Sequence, residues 1–144
     1  MSSDLREDEL ARVLARFESL AWDVVTEAQG QVVKLIGDEA MLVCPSARDA
    51  AAAALEIVGA TAKRGLPPAR AGLALGPLLA RSGDYFGRAV NLASRLVDHA
   101  DAGTVVIDER FKAALGDGFA LESLGRPPIK GLGEAPVWRI RATS

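Results

Sequence analysis

From Asp4 to about Ala28, apolar residues recur at three- and four-residue steps (Leu10, Val13, Leu14, Phe17, Leu20, Ala21, Val24 and Val25), the spacing that lines one face of an α-helix. Ser3 or Asp4 can cap its start, acidic residues occupy the first turn, and Gly30 suits a left-handed cap at its end. The pattern then shortens. "QVVKLIG" and "AMLVCP" are β-branched or apolar runs of strand length flanking Gly37-Asp38-Glu39, which predicts a tight hairpin with Gly-Asp at its tip and Pro45 ending the second strand. "SARDAAAAALEIVGATAKRG" predicts a second helix, capped by Ser46 and closed by basic residues and Gly65.

Beyond the "LPP" break, "ARAGLALGPLLAR" reads as a buried strand that turns at Gly76-Pro77. "GDYFGRAVNLASRL" reads as strand, turn and helix, the helix running from about Gly87 to Ala100. "GTVVIDERF" predicts a strand and a short helical turn, "FALESLG" a further strand and "APVWRIRA" a last one. The order helix, hairpin, helix, strand, helix, strands predicts an α+β fold, a sheet with helices on one side. No internal repeat and no long linker divides it, so residues 1–144 are expected to form a single domain.

Composition narrows the functional classes. Hydrophobic residues make up 49% and charged residues 25% of 144, ordinary globular usage with enough apolar material for a core. Seventeen basic against nineteen acidic residues leave a formal charge of −2, so no whole-surface field draws the chain to nucleic acid or to an anionic membrane. Phosphate recognition, if present, must be local. One cysteine, Cys44, excludes an internal disulfide framework, and with a single histidine it cannot build a zinc site of the usual type. The expectation is a reducing, cytoplasmic setting with no membrane contact by this chain, since no apolar run is long enough to span a bilayer.

Six polar residues carry candidate chemistry. Asp38, on the expected hairpin tip, is sterically free to reach a hard cation such as Mg²⁺, although Gly-Asp in that place also serves as plain turn chemistry. Lys34 lies four residues before it on the strand. Asp84 precedes Asn91 by seven residues, and Arg95 lies one helical turn beyond Asn91, so the amide and the guanidinium share a face. Such a pair can grip ribose and phosphate oxygens, or can simply decorate a solvated helix. Lys130, between prolines and glycines in "PPIKGLG", can meet phosphate as a point charge or stay in water. His99 suits a helix C-terminus, Cys44 a small core position, and Trp22 and Trp138 packing.

Together these stretches resemble one family. "VVKLIGDEAMLV", "ARAGLALGPLLARSGDYFGRAVNLASRLVDHADAGTVVID" and "IKGLGEAPVWRI" are similar, in order and in spacing, to the catalytic domain of class III adenylate/guanylate cyclases, over nearly the whole chain from about Leu10. The resemblance implies a ferredoxin-like nucleotide cyclase fold with a mainly antiparallel sheet. It also implies a head-to-tail homodimer with the nucleotide in clefts at the interface, and two Mg²⁺ or Mn²⁺ ions per site. Residue by residue, Asp38 resembles the second metal aspartate, and Lys34 and Asp84 the pair that reads adenine, making ATP the implied substrate. Asn91 resembles the residue that positions the ribose, Arg95 the one that stabilises the transition state, and Lys130 the one that contacts the terminal phosphates.

The family's pattern opens with a strand of the type "FADIVGFT" that carries the first metal aspartate, and neither Asp4 nor Asp8 stands in its place. Relative to the family the domain is therefore expected to be N-terminally truncated and impaired in turnover. The alternative is a catalytically silent cyclase-homology module for dimerisation or nucleotide binding.

Overall fold

The computed structural model describes residues 7–27, 31–36, 39–43, 46–66, 68–76, 79–81, 84–86, 88–131 and 133–142. Helix α1 (Glu7–Glu27) leads into strands β1 (Gln31–Ile36) and β2 (Glu39–Val43), followed by helix α2 (Ala47–Lys63). Strands β3 (Ala71–Leu73), β4 (Leu79–Arg81) and β5 (Asp84–Phe86) precede helix α3 (Arg88–Val97). Strand β6 (Val105–Asp108), helix α4 (Glu109–Leu115), and strands β7 (Phe119–Ser123), β8 (Pro128–Ile129), β9 (Gly133–Glu134) and β10 (Val137–Ala142) complete the chain.

The main sheet has the order β3-β6-β10-β7. β10 pairs antiparallel with both β6 and β7, and β3 pairs parallel with β6. The α+β class with an antiparallel-dominated sheet expected from the sequence is borne out. β6 sits inside the sheet, and Val105, Val106 and Ile107 are each 0% exposed, so both of its faces are covered. Val105 and Ile107 pack with Ala51, Ala54 and Val58 of α2, Phe111 and Leu115 of α4, and Ile140 of β10. Val106 packs on the other face with Leu96 of α3, Ile129 and Val137. The expected packing of helices on one side thus holds for α2 and α4, while α3 covers the opposite face. A third cluster joins α1 to α2 through Leu20, Val24, Ala53, Ile57 and Leu66.

Helix ends follow the local chemistry. Ser46 Oγ accepts from the Asp49 backbone N–H at 3.1 Å, and Asp108 Oδ1 accepts from Phe111 N–H at 3.0 Å. The Asp108 cap, with Phe111 and Leu115 both buried one turn apart, extends the expected short helical turn after "GTVVID" into a helix of 7 residues. "ARAGLALGPLLAR" divides into two strands of different sheets. β3 stays in the main sheet with its residues half-buried, and beyond the bend at Gly76 β4 pairs, among the described residues, with β5 in a separate two-stranded sheet. The small β8–β9 ladder was not expected, because two-residue strands are too short to show periodicity. Ser3, Asp4, Gly30, Gly37, Asp38, Cys44, Pro45 and Pro77 lie outside the described residues.

Candidate functional site

Of the expected strand, turn and helix of "GDYFGRAVNLASRL", the strand is present as β5 and the helix as α3, and Gly87 between them lies outside the described residues. β4 and β5 form a short antiparallel ladder whose last described pair is Arg81 with Asp84, so Asp84 is the first residue of β5. The helix begins two residues after β5 ends and lies against β5, β3 and β6. Its inner face is apolar: Ala89 and Leu96 are buried, and Leu92 packs into the Val106, Ile129 and Val137 cluster. Asn91 and Arg95 each precede one of those leucines, which sets them about 100° around the helix from it. Asn91 is exposed and Arg95 half-buried. Neither side chain makes a hydrogen bond or ion pair among the described residues, so an amide and a guanidinium stand together with donors to spare.

The sequence reading passed over Arg88. It is the first residue of α3, exposed, three residues before Asn91 and seven before Arg95, and it therefore shares their face. The helical period alone carried that signal.

Lys34 belongs to β1, where it pairs with Met41 of β2 just beyond a register irregularity that follows Val32. The β1–β2 ladder is a separate two-stranded sheet. β1 comes within 8 Å of β5, Cα to Cα, which sets the strand of Lys34 beside the strand of Asp84, 50 positions later. The strand of Lys34 is thus joined through neighbouring backbone to the contiguous β5–α3 segment that carries Asp84, Asn91 and Arg95.

Lys130 occupies the turn between β8 and β9 and is exposed. The residue before it, Ile129, is buried in one cluster with Leu96 of α3, Ala100, Val106 and Val137, which anchors the turn beneath that side of the sheet. Asp38 lies outside the described residues. Among the described residues no three His, Cys, Asp or Glu side chains come together as a metal site; a Mg²⁺ ion that also binds substrate phosphates needs only one or two carboxylates. No helix among them is long and apolar enough to cross a membrane.

A family profile described as the adenylate and guanylate cyclase catalytic domain matches residues 69–142, a span containing Asp84, Asn91, Arg95 and Lys130. An adenylate cyclase of Streptomyces coelicolor is 32% identical over 94% of this chain and 43% of its own length. A pH-sensitive adenylate cyclase of Mycobacterium tuberculosis is 34% identical over 93% of this chain and 35% of its own length. The chain thus spans less than half the length of these curated relatives. Among solved structures, the catalytic core of a rhodopsin-guanylyl cyclase with converted specificity, in complex with ATPαS, superposes with a TM-score of 0.86 at 22% identity, covering 99% of this chain and 88% of that one. The adenylate/guanylate cyclase/hydrolase of Silicibacter pomeroyi superposes with a TM-score of 0.83 at 24% identity, covering 100% of this chain and 92% of that one. With the fold, the matched span and the β5–α3 segment in agreement, the chain belongs to the adenylate/guanylate cyclase catalytic domain family.

Proposed function

We propose that this domain converts ATP to 3′,5′-cyclic AMP and pyrophosphate in a cleft between two copies of the chain. The observation that carries the reading is that β5 lies beside both β1 and α3, which links the strands of Lys34 and Asp84 to the helix of Asn91 and Arg95. Base choice follows from donors and acceptors. Adenine offers an acceptor at N1 and a donor at its N6 amino group, matching an ammonium and a carboxylate, whereas guanine carries an acceptor at O6 and a donor at N1. Lys34 and Asp84 accordingly favour ATP over GTP.

In this reading Asn91 orients the ribose, and the 3′-hydroxyl oxygen bonds to the α-phosphorus as the bond to the bridging oxygen breaks. Pyrophosphate leaves and the hydroxyl proton passes to solvent. Arg95, with donors not already engaged, takes up the negative charge that builds on the α-phosphate oxygens. Lys130 meets the terminal phosphates as a point charge, from the partner protomer or from its own. Mg²⁺ or Mn²⁺, with Asp38 as one ligand, would supply Lewis-acid activation of the attacking hydroxyl.

Purified chain incubated with ATP and Mg²⁺ or Mn²⁺ tests the proposal by chromatography of products. Equal amounts of cyclic AMP and pyrophosphate are expected, with GTP turned over more slowly. If calorimetry shows ATP bound but unconverted with either ion, the silent module is the better reading. No binding at all overturns the cyclase reading and leaves, of the alternative, the dimerisation module alone.

A further inference from the structure

Two glycines, Gly72 in β3 and Gly76 at the bend that follows, adjoin α3 where a side chain would strike the helix. A Cβ added at Gly72 would lie 2.5 Å from the Ala93 carbonyl oxygen, 2.7 Å from the Val97 backbone nitrogen and 2.9 Å from Leu96 Cβ. Two of those three atoms are helix backbone, so no side-chain rotation relieves the contact and α3 itself has to retreat. A Cβ added at Gly76 would meet Ala89 Cβ at 3.3 Å, a milder push against the first turn of the same helix.

Neither glycine is needed for its backbone conformation. Among the described residues the glycines with positive φ are Gly65, Gly103, Gly116, Gly118, Gly125, Gly131 and Gly133; Gly72 and Gly76 are not among them. What glycine supplies at these two positions is room. Gly72 abuts the turn that spans Arg95, and Gly76 abuts the turn that leads into Asn91. Leu96, fully buried against Val106, Ile129 and Val137, holds the helix down on that seat.

We infer that Gly72 and Gly76 are positioning residues, which set the height of Asn91 and Arg95 above the sheet and therefore their register with the strands of Lys34 and Asp84. The inference rests on the reading of the site given above and adds to it the two residues that seat its helix. A displacement of about 1 Å in a positioned group is enough to cost about 100-fold in rate. Base recognition, on β1 and β5, does not depend on the same seat.

The test is steady-state kinetics on Gly72→Ala and Gly76→Ala, with Gly59→Ala, whose added Cβ meets nothing within 4 Å, as the control. Gly72→Ala is expected to lower kcat about 100-fold while KM for ATP stays within about threefold, and Gly76→Ala to lower kcat about tenfold. Combined with Arg95→Ala, Gly72→Ala should add little, because both changes remove the same positioned group. Ala89→Gly should restore the rate of Gly76→Ala, whereas general loosening of the fold would make that double variant worse. A folded Gly72→Ala with kcat within twofold of the parent, or a loss fully additive with Arg95→Ala, overturns the inference. If Gly72→Ala does not fold, the Gly76 and Ala89 pair decides, and failure of the rescue overturns it. Arg95→Ala and Asn91→Ala separate the two levels: if both leave kcat intact, the site reading fails and the inference with it. If they abolish turnover while the glycine variants do not, only the inference falls.

Discussion

Arg95 is half-buried and has no hydrogen-bonding or ionic partner among the described residues, which makes its contributions to folding and to chemistry separable. Removing an unpaired guanidinium leaves no buried partner stranded, so Arg95→Ala should change unfolding free energy by no more than about 1 kcal/mol. Its loss from a developing phosphate charge is of another size. kcat should fall by about 10² to 10³, with binding of a non-reacting ATP analogue nearly unchanged. Parallel denaturation and single-turnover measurements check both halves. If Lys34 and Asp84 read the base as proposed, Lys34→Glu with Asp84→Cys should reverse the preference between ATP and GTP, seen as a shift of at least about 100-fold in the ratio of kcat/KM values. Either single change should cost activity with both nucleotides, because it leaves one edge of the base mismatched.

At this scale the candidate residues were legible one by one, and their placement only in part. Asn91 and Arg95 advertise a shared face by their four-residue spacing, and Arg88 would have joined them by the same rule. Lys34 and Asp84 were identifiable as residues, but their proximity was not, since no local period relates positions 50 apart. Lys130 was identifiable as a constrained lysine, yet the burial of Ile129 beneath α3, which anchors its turn, is a long-range contact.

Among the elements, the helices were the most legible because capping and periodicity are local. Ser46 and Asp108 each satisfy a backbone N–H that the first helical turn would otherwise leave bare. Asp108→Ala should therefore cost about 1 kcal/mol of stability, read as a lower midpoint in urea with an unchanged slope, and should leave kcat unaltered. The same aspartate ends β6, so the loss should be felt where the central strand meets α4. Strand assignment was harder. "VVID" reads as a strand because three successive apolar residues are buried on two faces, while "ARAGLALGPLLAR" looks continuous and is not. Once the bend at Gly76 redirects the chain, β4 finds its partner in β5, and nothing in the residues of β4 alone announces which neighbour it will meet.

For the molecule as a whole, the proposed cleft needs two copies, and this carries a concentration dependence. Specific activity should fall on dilution through the dimer dissociation constant, and sedimentation velocity over the same range should show the dimer giving way to monomer in step with it. Mixing Lys34→Ala with Arg95→Ala protomers offers a complementary reading. If each site draws those residues from different chains, the mixture should regain about a quarter of parental activity, because random pairing yields one intact site in half of the dimers. Should both residues act within one protomer, no activity returns. The chain spans 43% or less of its curated relatives' lengths quoted above, so these outcomes describe the domain and not the regulation of a longer protein.

Helix positions, caps, the α+β class and the polar residues with unusual local spacing were determined by the sequence itself, because each depends on interactions between residues a few positions apart. Tertiary structure alone decided that β6 is covered on both faces, that α3 takes the face opposite α2 and α4, and that β1 lies beside β5. It also decided that two glycines without left-handed backbone sit where an added Cβ would strike α3. Those arrangements depend on which apolar surfaces bury one another and how near two backbones can approach, quantities that exist only once distant segments have packed.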